Sequence, residues 1–136
     1  LAGCGCGHKI RRVHAGESET RWMVNKKLEA LRNIASMVSD AELSSLKTLE
    51  VERQKYATKG ATLRGQQREL LHSDKPNLAF LSGTTDRWLD WSTAQIRRAA
   101  SEEAFAAARV EHQKKIAARA FGRATVLAKL AQEKDR

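Results

Sequence analysis

The stretch from Asp86 to Gln132 most constrains the fold, because it contains no proline and a single glycine, Gly122. Alanine, glutamate, lysine, arginine and glutamine dominate it, and these residues favour helices. Apolar and small residues recur in steps of three and four, as in the seam of a coiled coil. The stripe comprises Leu89, Ile96, Ala99, Ala106, Val110, Ala117, Ala120, Ala124, Leu127 and Ala131, with Ser92, Glu103 and Gln113 as weak positions. The pattern predicts one helix over about 86–132, which needs a second helix to cover its narrow stripe.

The first half of the chain can supply that second helix. A seven-residue repeat runs through Leu28, Ala35, Glu42, Leu49, Tyr56, Leu63 and Leu70. A companion position is filled early by Leu31 and Val38, then by Leu46, which lies one residue out of phase. It weakens at Arg53, Gly60 and Gln67. This repeat predicts a helix over about 25–72 whose apolar stripe is continuous at first and loses its apolar companion residues further along.

The two predicted helices are separated by a short connection. Ser73, Asp74, Pro76 and Asn77 suit a turn, and proline disfavours helical geometry at the preceding residue. We expect a turn over 73–85. Two long helices joined in this way run antiparallel and pair along their stripes. The predicted fold is all-α, an antiparallel coiled-coil hairpin over residues 23–136.

Residues 1–22 differ from the rest, because they begin with a glycine-rich run and show no helical stripe. One interpretation is a lipoprotein cleavage box at residues 1–4, although no apolar segment precedes it. A second is a metal site at Cys4, Cys6 and His8, although zinc sites usually need four ligands. The third, which we favour, is a disordered or non-native leader, with Met23 as the natural start.

The charge balance is basic, with a formal net charge of +9 and 30% charged residues. It fits a solvated helical surface, or attraction to an acidic protein partner. Nucleic-acid modules cluster basic residues on one face, whereas here lysines and arginines alternate with glutamates along the chain. No stretch approaches the ~20 apolar residues that span a membrane. We therefore expect a cytoplasmic protein that binds no nucleic acid.

Catalytic, cofactor and metal sites are not predicted. His72 and His112 lie among polar neighbours, and the adjacent Glu102 and Glu103 are not paired acids in a pocket. The glycine-rich segments do not match a phosphate-binding loop. A two-helix hairpin also offers no enclosed pocket for a small-molecule substrate. We expect a protein that is not an enzyme.

The two ends of the predicted hairpin carry apolar residues that one partner helix cannot cover. Trp88 and Trp91 lie three apart beside the turn, where they either pack with Leu89 and Phe80 or dock a partner. Phe105 and Phe121 lie out of phase with the stripe. Residues 120–130 are apolar around much of the helix, which indicates insertion into a partner.

The segment 120–130, together with the start MVNKKLEAL at 23–31 and the two long helices, resembles the FliJ family of bacterial flagellar export proteins. That resemblance implies a stalk-like coiled coil whose joined chain ends enter a hexameric export ATPase and promote assembly of its ring. It also implies contact with the export gate, a protein of the inner membrane, possible cycling of export chaperones, no cofactor, and peripheral association with that membrane.

Carried onto this chain, the resemblance assigns two groups of partner-binding residues. The ATPase-facing tip is Leu28, Leu31, Phe121, Arg123, Leu127 and Leu130. The export-gate side is Trp88, Trp91 and Ile96, placed by position alone. The alternatives are a generic coiled-coil scaffold or adaptor protein and a basic nucleic-acid-binding protein.

Overall fold

The fold consists of two long helices that pack against each other, so the prediction of an all-α helical hairpin is confirmed. The structure, a computed structural model, describes residues 10–73 and 78–134, and for 10–15 and 79–80 the backbone only. Helix α1 runs over Ile10–Leu71, the four-residue helix α2 over Leu78–Leu81, and α3 over Thr84–Lys134. Strands are absent from these ranges.

Helix α1 starts much earlier than the sequence predicts, at Ile10 rather than about 25. Residues 10–22, expected to belong to a disordered or non-native leader, are helical, while Cys4, Cys6 and His8 lie outside the described residues. A stripe is needed for pairing but not for helix formation, and residues 16–27 are exposed helix. Lys26 stabilises this part of α1, since its Nζ lies 4.6 Å from the ring centre of Trp22, four residues earlier.

The connection between α1 and α3 contains one extra helical turn within the predicted 73–85 segment. Helix α1 ends at Leu71, and α2 is closed by a hydrogen bond from the Ser82 amide to the Leu78 carbonyl, 3.1 Å. Gly83 has a φ of 73°, a left-handed conformation that glycine adopts without steric cost. The Gly83 carbonyl then accepts the Arg87 amide at 3.4 Å, so this glycine turns the chain into α3.

The described contacts divide the hairpin into two compact units. The central unit is 42–117, and the terminal unit combines 1–41 with 118–136. In the central unit Gln113 pairs with Glu42, Arg109 with Glu52, and Ser92 with Gln67. In these pairs the residue number on α3 decreases as the residue number on α1 increases, so the two helices are antiparallel there.

The seam of α3 follows its predicted stripe. Its buried residues are Ser92, Ala99, Ala106, Val110, Ala117 and Ala120. Most have small side chains, so α1 packs closely against them, and a Cβ added at the buried Gly60 would lie 3.9 Å from the Ala99 Cβ. A seam of this kind buries little apolar area per residue. Because burial stabilises a fold by ~25 cal/mol per Å², each seam residue contributes little to stability.

The seam of α1 has a different phase from the predicted one at its companion position. All seven repeat positions from Leu28 to Leu70 are half-buried, as the repeat predicts. The companion position, however, is filled by Arg32, Ser39 and Leu46, and the series continues in sevens, past the exposed Arg53, to Gly60 and Gln67. The expectation that Leu31 and Val38 fill it is wrong. A single heptad phase holds along α1, and it places both residues beside the seam, exposed.

Candidate docking groove

An open groove of about 670 Å³ lies in the terminal unit, beside the seam. Four apolar residues of α1 form one wall: Leu31, Ile34, Ala35 and Val38. Six residues of α3 form the other: Arg119, Ala120, Gly122, Arg123, Val126 and Leu127. Apart from the two arginines, every residue lining it is apolar.

The spacing of these residues follows from helix geometry. On α1 they lie at steps of three, one and three, which places them on one face over two turns. On α3 they lie between 119 and 127 at steps of one, two, one, three and one, which covers a wider face of the helix. Two turns of α-helix rise about 11 Å, which sets the approximate length of the groove.

The groove exists because large residues of α1 lie beside small residues of α3. Leu31 and Ile34 are kept out of the seam by the heptad phase, whereas Ala120 and Gly122 are too small to cover them. A Cβ added at Gly122 would meet nothing within 4 Å. Ile34 and Val126 consequently remain 57% and 56% exposed.

The charge of the groove is positive. Arg119 and Arg123 lie one turn apart on α3 and are exposed. Within the described part of the chain, neither forms an ion pair, and the residues lining the groove include no aspartate or glutamate. The site therefore combines an apolar lining with two guanidinium groups that have no carboxylate partner there.

The groove brings together three of the six residues predicted for the ATPase-facing tip: Leu31, Arg123 and Leu127. Leu28 is a half-buried seam residue beside Arg32 and Ala131. Phe121 and Leu130 are 58% and 45% exposed, but they do not line the groove.

The three residues predicted for the export-gate side differ in their surroundings. Trp88 is half-buried and lines a shallow depression with Glu69 and Leu70 of α1. Trp91 is 53% exposed. Ile96 lies half-buried on the seam stripe. Of the predicted local cluster, Leu89 is half-buried too, while the side chain of Phe80 lies outside the described residues.

Sequence reasoning did not single out Ile34 and Arg119, and it included Val126 only as part of the apolar segment 120–130. A usable signal exists for Ile34, because it is a large apolar residue just off the heptad. An apolar residue off the heptad normally points to a wider apolar face. Seam positions alone therefore underestimate the surface available for docking.

Side-chain chemistry elsewhere is that of exposed helical surfaces. The Nδ1 atom of His72 lies 2.8 Å from the Arg68 carbonyl oxygen. A hydrogen bond from Lys114, and its charge, lower the pKa of the exposed Glu111 carboxyl below its usual range. In the part of the chain that the structure describes, no three His, Cys, Asp or Glu side chains are grouped so as to hold a metal ion.

Membrane-spanning potential can be judged for the described helices, and none of them combines the length and apolarity needed to cross a bilayer. Comparisons of this chain with protein-family models, with curated proteins and with solved structures found no significant match.

Proposed function

We propose that this chain is a non-enzymatic component of the bacterial flagellar protein export apparatus. In this role it acts as a stalk-like partner that promotes ring assembly of the export ATPase and couples the ring to the export gate. The observation that carries the proposal is the apolar groove between residues 31–38 and 119–127. Apolar surface that stays exposed in a folded helical unit is typical of a docking site.

The groove supports this role because it lies in the terminal unit, between the first half of α1 and the last part of α3. The resemblance to FliJ proteins assigns ATPase contact to that part of the chain. Leu31, Arg123 and Leu127 line the groove and belong to the residues so assigned. A net charge of +9 also favours association with an acidic partner surface.

On this proposal the action is mechanical, and the chain contributes contacts to its partners. Docking of the terminal unit biases association of the ATPase subunits, as any ligand favours the state it binds better. Trp91, which is 53% exposed, and the half-buried Trp88 and Ile96 are the candidates for the export-gate contact, since tryptophans are frequent interface anchors. Peripheral association with the inner membrane and binding of export chaperones would follow from that contact.

The test is to mix the chain with a purified hexameric export ATPase, and to measure ATP hydrolysis and ring formation by sedimentation. We expect stimulation by the unmodified chain and a loss of at least about tenfold in apparent affinity for Val126→Asp, because a charge enters the apolar groove. Val51→Asp is the matched control, since Val51 is 63% exposed in the central unit. Equal loss in both variants would remove the groove from the proposal, and absence of any stimulation would remove the export role.

A second candidate function is that of a self-associating scaffold or adaptor. It is favoured by Phe105, which is 68% exposed in the central unit, away from the groove residues. A concentration-dependent dimer in sedimentation equilibrium, abolished by Phe105→Ala and accompanied by no ATPase binding, would favour this function over the export role.

A further inference from the structure

We infer that the groove binds an acidic amphipathic helix of a partner protein. The apolar stripe of that helix contacts the apolar lining of the groove, and its carboxylates contact Arg119 and Arg123. This inference deepens the proposed function and rests on its claim that the groove is a docking surface. It adds the chemical class of the segment that docks.

The shape of the groove selects a helix. Its α1 wall presents Leu31, Ile34 and Val38 along two turns, parallel to the seam. A helix laid there would place residues at i, i+3, i+4 and i+7 against the wall, which is the usual pattern of helix-in-groove recognition. Gly122 leaves space for the side chains of such a helix, because a Cβ added there would meet nothing within 4 Å.

The charge of the groove selects acidic flanks. Arg119 and Arg123 lie one turn apart, so carboxylates one turn apart on a docked helix can meet both. Arginine forms paired hydrogen bonds with a carboxylate, and a groove without acidic lining residues leaves both guanidinium groups open to such contacts.

A second copy of this chain is a poorer occupant. In a symmetric pair each groove would face its own equivalent, which brings Arg119 and Arg123 near the same arginines of the other copy. Like charges placed together in an interface oppose association. The chain as a whole is also strongly basic, at +9. The occupant is therefore expected to come from another protein.

The experiment uses the full chain and three designed helical peptides labelled with a fluorophore, at about 0.15 M salt, where the Debye length is about 8 Å. The first has a leucine stripe flanked by glutamates, the second has lysines in place of the glutamates, and the third has serines in place of the leucines. Binding is measured by fluorescence anisotropy. We expect the first peptide to bind at least about tenfold more tightly than either of the others.

Two variants place the binding in the groove. Arg119→Ala with Arg123→Ala should weaken the acidic peptide about tenfold, as expected for the loss of two charge pairs. The matched control is Arg97→Ala with Arg98→Ala, which removes the same charge from exposed positions of the central unit and should leave affinity unchanged. Arg119→Glu with Arg123→Glu should reverse the preference and favour the lysine-flanked peptide.

Several results would overturn the inference. Equal binding of the glutamate and lysine peptides would mean that apolar contact alone decides. Equal weakening by the control pair would mean that only net charge matters. A dimer of the chain that Val126→Asp dissociates would place a second copy in the groove.

The fates of the two proposals can be separated. If Val126→Asp loses ATPase stimulation but the glutamate and lysine peptides bind equally well, the inference is overturned and the proposed function is retained. Charge-selective binding in the groove without ATPase stimulation supports the inference and removes the export role.

Discussion

The central and terminal units use the same two helices and the same heptad, yet they treat the surface beside the seam differently. In the central unit polar contacts join α1 to α3, both at the seam and beside it. Gln113 donates to the Glu42 carboxylate at 2.5 Å and to its carbonyl at 3.2 Å. Arg109 donates to Glu52 at 2.8 Å, in a partly exposed ion pair of small energetic weight.

In the terminal unit the surface beside the seam is apolar and open. Leu31, Ile34 and Val126 are each about half exposed, and the arginines beside them have no ion-pair partner among the described residues. A seam by itself therefore specifies pairing, whereas the residues next to it decide whether a unit is complete or able to accept a further helix.

The largest contrast is expected for the same substitution made in each unit. Val110 is fully buried in the central unit, whereas Val126 is 56% exposed in the groove. Val110→Asp should lower the free energy of unfolding by about 3 kcal/mol or more, because it buries an unpaired carboxylate. Val126→Asp should change it by less than about 0.5 kcal/mol. Urea unfolding followed by circular dichroism measures both, and similar losses would show that the groove residue contributes to the fold.

A smaller contrast is expected at the two buried serines. The Ser92 hydroxyl accepts a hydrogen bond from Gln67 Nε2 at 2.7 Å and donates to the Leu89 carbonyl at 3.0 Å. Ser92→Ala should therefore cost about 1 kcal/mol. Ser39, buried in the terminal unit, makes no hydrogen bond to α3 through its side chain within the described part of the chain.

The control for that measurement is Ser39→Ala, which should leave the free energy of unfolding unchanged or slightly higher, since alanine is the better helix former. A loss as large as that of Ser92→Ala would show that the terminal seam depends on a polar contact as well.

The smallest effects are stabilising and concern glycines within the helices. A Cβ added at Gly65 of the central unit or at Gly122 of the terminal unit would meet no atom within 4 Å. Gly65→Ala and Gly122→Ala should each raise the free energy of unfolding by up to about 0.8 kcal/mol, because alanine restricts the unfolded chain and favours the helix. Thermal melts measure both. A gain at Gly65 alone would show that α3 is frayed where it lines the groove.

Much of the fold is predictable from the sequence, as the seam of α3 shows. Every buried residue of that helix, from Ser92 to Ala120, lies on the stripe read from steps of three and four. The sequence is also sufficient for the seven half-buried positions of α1 between Leu28 and Leu70. Periodicity is a property of one helix, so it can be read without knowledge of the partner.

The candidate site was predictable only in part. Leu31, Arg123 and Leu127 were expected at a binding surface and lie in the groove, whereas Phe121 and Leu130 do not line it. Ile34 and Val126 complete the groove; Ile34 was missed, and Val126 was expected only as part of the apolar segment 120–130. Whether two apolar residues on different helices share one groove depends on the register of the pair, which no single-helix pattern contains.

The sequence by itself determined that two long helices form, where the chain turns between them, and which face of α3 is buried. These features follow from residue propensities and local periodicity. The tertiary structure alone decided that Arg32 and Ser39, rather than Leu31 and Val38, occupy the companion seam position. The physical reason is that the other seam positions set one heptad phase along α1, and keeping that phase outweighs the gain from burying two further apolar residues. The residues thus left outside the seam are those that line the groove.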